Sequence, residues 1–89
     1  LTRTGKPNEA LDELEPVRKF YPSYVTVWIE LGKASLKSGQ PRKAEEYLLE
    51  AARINPYDPE VHELLAKVYD ATKRRKLAER ERKFARLVQ

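Results

Sequence analysis

Apolar and small residues recur along this chain at the three- and four-residue steps that place side chains on one side of a helix. In residues 24–38, Trp28, Leu31, Gly32, Ser35 and Leu36 follow that step. In residues 41–54, Ala44, Tyr47, Leu48, Ala51 and Ile54 do the same. Val61, Leu65, Val68 and Tyr69 line one face of residues 59–72. Leu77, Phe84 and Val88 carry the pattern to the end, with Glu81 interrupting it. No stretch alternates with a period of two, so the pattern predicts helices and no strand.

The predicted helices are punctuated. Gly5 and Gly39 suit the left-handed residue that ends a helix. Pro7 and Pro41 suit the first turn of the next one, where a missing N–H costs nothing. Asp58 before Pro59 reads as an N-cap, and Ser23 as an N-cap for the helix that carries Trp28. Pro16 falls inside a predicted helix, where it removes a hydrogen bond and crowds the preceding turn. A kink or an early end near Glu15 is therefore expected, with Val17 and Phe20 still packed.

These signals repeat with a step of 34 residues. Gly5 and Gly39, Pro7 and Pro41, and Pro22 and Pro56 are each 34 apart. So are Ala10, Ala44 and Ala78 in series, and Ala51 and Ala85. A fixed period of this size marks a stack of helical units, each of which buries its apolar face only against its neighbours. The alanines and Gly32 are small where paired helices approach closely.

Within one period, Trp28, Leu31, Gly32, Ala44, Leu48, Ala51 and Pro56 stand in an order and spacing that resemble the tetratricopeptide repeat (TPR) pattern, W-x2-L-G-x2-Y, then A-x3-F, then P. Ser35 stands where Tyr is usual, and Leu48 where Phe is usual. The resemblance divides the single domain 1–89 into a partial repeat over 1–24, a complete repeat over 25–58 and a terminal repeat over 59–89 with a basic capping helix. In the terminal repeat His62, Leu65, Ala66, Tyr69, Ala78 and Ala85 keep the frame, while Lys73 replaces a glycine and Arg82 a large apolar residue. The fold implied is all-α, a right-handed superhelical stack of antiparallel helix pairs of the TPR-type α-solenoid. Trp28 and His62 both fall where the family places a core aromatic.

The resemblance also implies a function. In such proteins the first helices of successive repeats line a concave groove that takes an extended peptide or a partner helix. Those positions are Thr26, Ile29, Glu30, Lys33, Leu36 and Lys37 in the complete repeat. In the terminal repeat they are Glu60, Glu63, Leu64, Lys67, Asp70 and Ala71. Of the Lys, Asn and Arg clamp with which chaperone-binding members hold a C-terminal carboxylate, only Lys33 and Lys67 have counterparts here. A chaperone tail therefore fits poorly. A mixed-charge amphipathic segment fits better, with apolar contacts from Ile29, Leu36 and Leu64.

Composition narrows the alternatives. At 89 residues the chain buries a modest fraction of its surface. Charged residues make up 36% of it, which suits a thin stack with much surface. No run approaches the length of a membrane span and no signal peptide is visible. The chain starts at Leu1, without an initiator Met and inside a repeat, which reads as a piece of a larger protein. Leu11 and Leu14 are then expected to lack full cover, so a homodimer through the incomplete first repeat is expected to hide them.

Little here suggests chemistry. His62-Glu63 starts like a zinc-protease motif, but Ala66 stands where the second histidine belongs and the chain has no cysteine. Gly5-Lys6 is no phosphate loop, because Pro7 replaces the needed Ser or Thr. One histidine cannot complete a nucleophile–base pair, and carboxylates such as Glu46 and Glu50 lie among cations on a solvated face. No catalytic residue, metal or cofactor is therefore assigned.

Charge is uneven. Residues 1–71 carry a net −2 and residues 72–89 a net +6. The run Lys73-Arg74-Arg75-Lys76, with Arg80, Arg82, Lys83 and Arg86, offers an alternative function as a nucleic-acid or anionic-surface site. Only Phe84 is aromatic there, so it has no base-stacking platform, and a solvated capping helix is the stronger reading. A third reading makes the chain the terminal TPR module of a larger bacterial multidomain enzyme.

Overall fold

The prolines and apolar stripes set the helix starts and the buried faces. In the computed structural model, which describes residues 7–88, the chain forms α1 (Pro7–Phe20), α2 (Val25–Lys37), α3 (Pro41–Ile54), α4 (Pro59–Ala71) and α5 (Arg75–Leu87). There is no strand among the described residues. Pro41 and Pro59 open α3 and α4 at the first turn. Asp58 caps α4, its carboxylate accepting the Glu60 backbone N–H at 2.9 Å. The cap of α2 is Tyr24 and not Ser23, and it makes no side-chain hydrogen bond. Instead the Tyr24 N–H donates to Tyr21 O and Tyr24 O accepts from Val27, so the turn itself ends on Tyr24.

The two turns inside helix pairs share one geometry. After α2, Gln40 N–H donates to Ser35 O at 2.8 Å and Gly39 N–H to Leu36 O at 3.1 Å. After α4, Arg74 N–H donates to Tyr69 O at 2.7 Å and Lys73 N–H to Asp70 O at 3.1 Å. Both are Schellman endings with a left-handed residue. Gly39 takes φ +78° without strain, and Lys73 takes φ 61° with a side chain. Lys73→Gly should relieve that cost, offset in part by glycine's extra freedom when unfolded. We expect a gain of about 0.5–1 kcal/mol, seen as a higher urea midpoint at unchanged slope. Gly5 lies outside the described residues.

Pro16 does not end α1. The helix runs through it to Phe20, and Tyr21 N–H still donates to Val17 O at 3.0 Å. Pro16 faces solvent, and Val17 remains packed against the core, which holds the second half of the helix in line. Phe20, expected to pack, is instead 79% exposed. The open patch expected on α1 is also missing, for Leu11 and Leu14 are only 8% and 2% exposed.

Each helix packs on its chain neighbours, and α4 also reaches back to α2. The core runs through the seams, with Leu14, Leu31, Leu48, Val61, Leu65 and Val68 fully buried. Gly32 matters for packing. A Cβ there would lie 2.6 Å from Leu48 Cγ and Cδ2, so the glycine lets α2 and α3 pack this closely without displacing Leu48.

Trp28 and His62, one period apart, play the same part. Trp28 Nε1–H donates to Pro22 O at 2.9 Å, and His62 Nε2–H to Pro56 O at 2.7 Å. The other imidazole nitrogen, Nδ1, lies 2.6 Å from Glu81 Oε1, and the ring lies against Phe84 with centroids 4.4 Å apart. Both nitrogens of His62 are thus engaged by the protein. Arg74 clasps the last pair to the one before. Its guanidinium grips both oxygens of Glu45, at 2.5 and 3.1 Å, and lies 4.8 Å from the Tyr69 ring.

Candidate protein-binding groove

Helix geometry puts Lys33, Leu36 and Lys37 on one stripe of α2, and Leu64 and Lys67 on one stripe of α4. Because α4 reaches back to α2, the two stripes face one hollow of about 460 Å³ lined by these five residues. Leu64 is buried and Leu36 half-buried, so the floor is apolar. Lys37 and Lys67 are exposed at its rim, and neither forms a salt bridge among the described residues.

Lys33 is spoken for. Its ammonium lies 2.7 Å from Glu60 and 3.6 Å from Glu30. The hydrogen bond to Glu60 holds its pKa above the ordinary lysine range, against a smaller opposite effect of burial. Glu30 and Glu60 therefore converge on one cation that fastens α2 to α4.

The remaining expected groove residues scatter. Ile29 is buried in the core and does not line the hollow. Thr26 is exposed away from it, as is Ala71. Asp70 pairs with Arg82 of α5. Glu63 lines a second hollow of about 310 Å³ together with Lys67, Arg82, Ala85 and Arg86. Lys67 is thus shared by the two hollows. The α5 residues of the second hollow, Arg82, Ala85 and Arg86, are not expected from the sequence, because the resemblance places the groove on the first helix of each pair.

No helix among the described residues is long and apolar enough to cross a membrane. A tetratricopeptide repeat family model matches residues 1–80. No curated protein matches the sequence. Among solved structures, the chain is similar to one titled "MamA MSR-1 C2", with a TM-score of 0.92 and 23% sequence identity. The match covers 98% of this chain and 50% of that one, so this chain spans about half its length. The likeness is one of fold.

Proposed function

From the premise that this chain belongs to the tetratricopeptide repeat family, we propose that it is a non-catalytic protein-interaction scaffold whose α2–α4 hollow holds a segment of a partner protein. The observation that carries this reading is the meeting of two leucines, Leu36 and Leu64, with Lys37 and Lys67, which form no salt bridge among the described residues. An apolar side chain of the ligand sits on the leucines, and its carboxylates meet the lysines. The pair Glu30 and Glu60 beside Lys33 disfavours a uniformly acidic ligand, so the segment is amphipathic and of mixed charge.

The energetics favour the apolar floor over the rim. Each exposed lysine contact contributes only about 0.2–1 kcal/mol, so most of the affinity comes from the leucines. A peptide selected from a displayed random library against this chain should combine acidic and apolar residues. Lys37→Glu with Lys67→Glu should weaken its binding roughly tenfold, with the far-UV circular dichroism spectrum unchanged. Amide shifts on peptide addition should centre on Leu36 and Leu64. Selected peptides that bind the double variant as well as the parent chain would rule the hollow out.

A further inference from the structure

The 34-residue step allows the second hollow to be compared with its own counterpart. Glu63, Lys67, Arg82, Ala85 and Arg86 map onto Ile29, Lys33, Leu48, Ala51 and Ala52. Those counterparts lie on α2 and α3, the two helices on which α4 packs. Ile29, Leu48 and Ala51 are buried there, and Ala52 is half-buried. The equivalent face of α4 and α5 keeps the small residue at its centre, Ala85, and keeps one lysine, Lys67. It exchanges three apolar residues for Glu63, Arg82 and Arg86.

That exchange changes what the face can receive. A helix with an apolar stripe, such as α4, would strip water from the Arg82 and Arg86 guanidinium groups while offering them no acceptor. A helix whose apolar contact is small and whose flanks carry carboxylates meets all the requirements. Ala85, itself buried at the floor, adds no bulk that would hold a helix off, and Lys67, Arg82 and Arg86 present cations around it. Arg82 already holds Asp70, but a guanidinium has donors to spare. Glu63 is engaged within the chain. Arg86 forms no salt bridge among the described residues. The aromatic ring of this region, Phe84, belongs to a different hollow with His62, so the face has no platform for a nucleic-acid base.

We infer that the α4–α5 face around Ala85 is a second docking surface, built for an acidic helix of a partner protein. It lies beside the α2–α4 hollow, shares Lys67 with it, and does not depend on it. Binding here is steered by charge and falls with added salt.

A capped alanine-based helical peptide with glutamates flanking an alanine stripe along one face is a suitable probe, with its lysine-for-glutamate counterpart as control. The peptide is titrated by fluorescence anisotropy into the whole chain and into Arg86→Glu, Arg86→Gln and Lys37→Glu. Of these two hollows, Arg86 lines only the second and Lys37 only the first. The inference expects the glutamate peptide to bind and its counterpart not to. It expects Arg86→Glu to weaken binding roughly five- to tenfold, Arg86→Gln to weaken it less, and Lys37→Glu to leave it unchanged. Amide shifts should centre on Ala85 and Arg86. Loss of binding in Lys37→Glu alone would overturn the inference while supporting the first hollow. Binding of a single-stranded oligonucleotide but not of the peptide would overturn it too. So would self-association in sedimentation that Arg86→Glu disperses, because the occupant would then be a second copy.

Discussion

Trp28→Ala is expected to leave the chain largely unfolded at room temperature. The indole is buried, packs on Tyr47 with centroids 6.2 Å apart, and carries the Arg18 guanidinium 5.6 Å from its ring. Its N–H also satisfies the Pro22 carbonyl. Truncation removes a large buried surface and leaves a cavity, at a cost of about 3–5 kcal/mol. A domain of this size holds a total stability near the low end of the usual range of about 5–15 kcal/mol. Most of the far-UV circular dichroism signal should therefore be lost. Trp28→His gives a graded control. His62 reaches Pro56 O in the same way, so an imidazole at residue 28 restores the hydrogen bond without the volume. It should fall between the parent chain and the alanine variant. A fully helical Trp28→Ala protein would mean that the indole contributes little to packing.

Leu48→Arg should be still more damaging. Leu48 is fully buried, and its Cγ and Cδ2 lie hard against the position of a Cβ on Gly32. An arginine there loses the leucine's burial, about 2–5 kcal/mol, and adds an unpaired buried charge that costs several kcal/mol more. The sum exceeds what the domain holds, and no urea transition should remain. The reciprocal change one period on, Arg82→Leu, should be tolerated, since Arg82 is 47% exposed and its pair with Asp70 lies at the surface. That variant should melt like the parent but self-associate in sedimentation, because it builds an apolar patch on an open face. Equal melting of Leu48→Arg and Arg82→Leu would show that the two positions are not distinguished by burial.

Much of the fold is readable from local rules. The prolines, Asp58 and Gly39 mark helix ends because capping depends on a few adjacent residues. Ala44, Leu48 and Ala51 declare a buried stripe through their spacing alone. The departures have one physical origin. Periodicity tells which stripe of a helix a residue occupies, but not whether a neighbouring helix crosses it. Ile29 shares the first-helix face with Leu36, yet Ile29 is buried in the core while Leu36 lies at the hollow. Lys33 reads as a free cation until folding brings Glu60 within 2.7 Å. Pro16 looks like a helix end because propensity is local, whereas the packing of Val17 that carries the helix onward is tertiary. Ser35, fully buried with no hydrogen-bond partner for its hydroxyl among the described residues, gives no hint in sequence beyond the absence of the usual tyrosine.

The neighbour-only seams have a kinetic consequence. Every contact between helices joins elements that are adjacent in the chain or one removed. Loops that must close before a contact can form are therefore short, and chains of this kind reach the native state quickly. Nothing requires the two ends to meet first. The row can begin to order at any seam and extend from there, as a zipper closed from the middle. The same property sets how it comes apart. Among the described helices α2 packs on three others and α3 on two, so the Gly32–Leu48 seam is held from both sides and opens late.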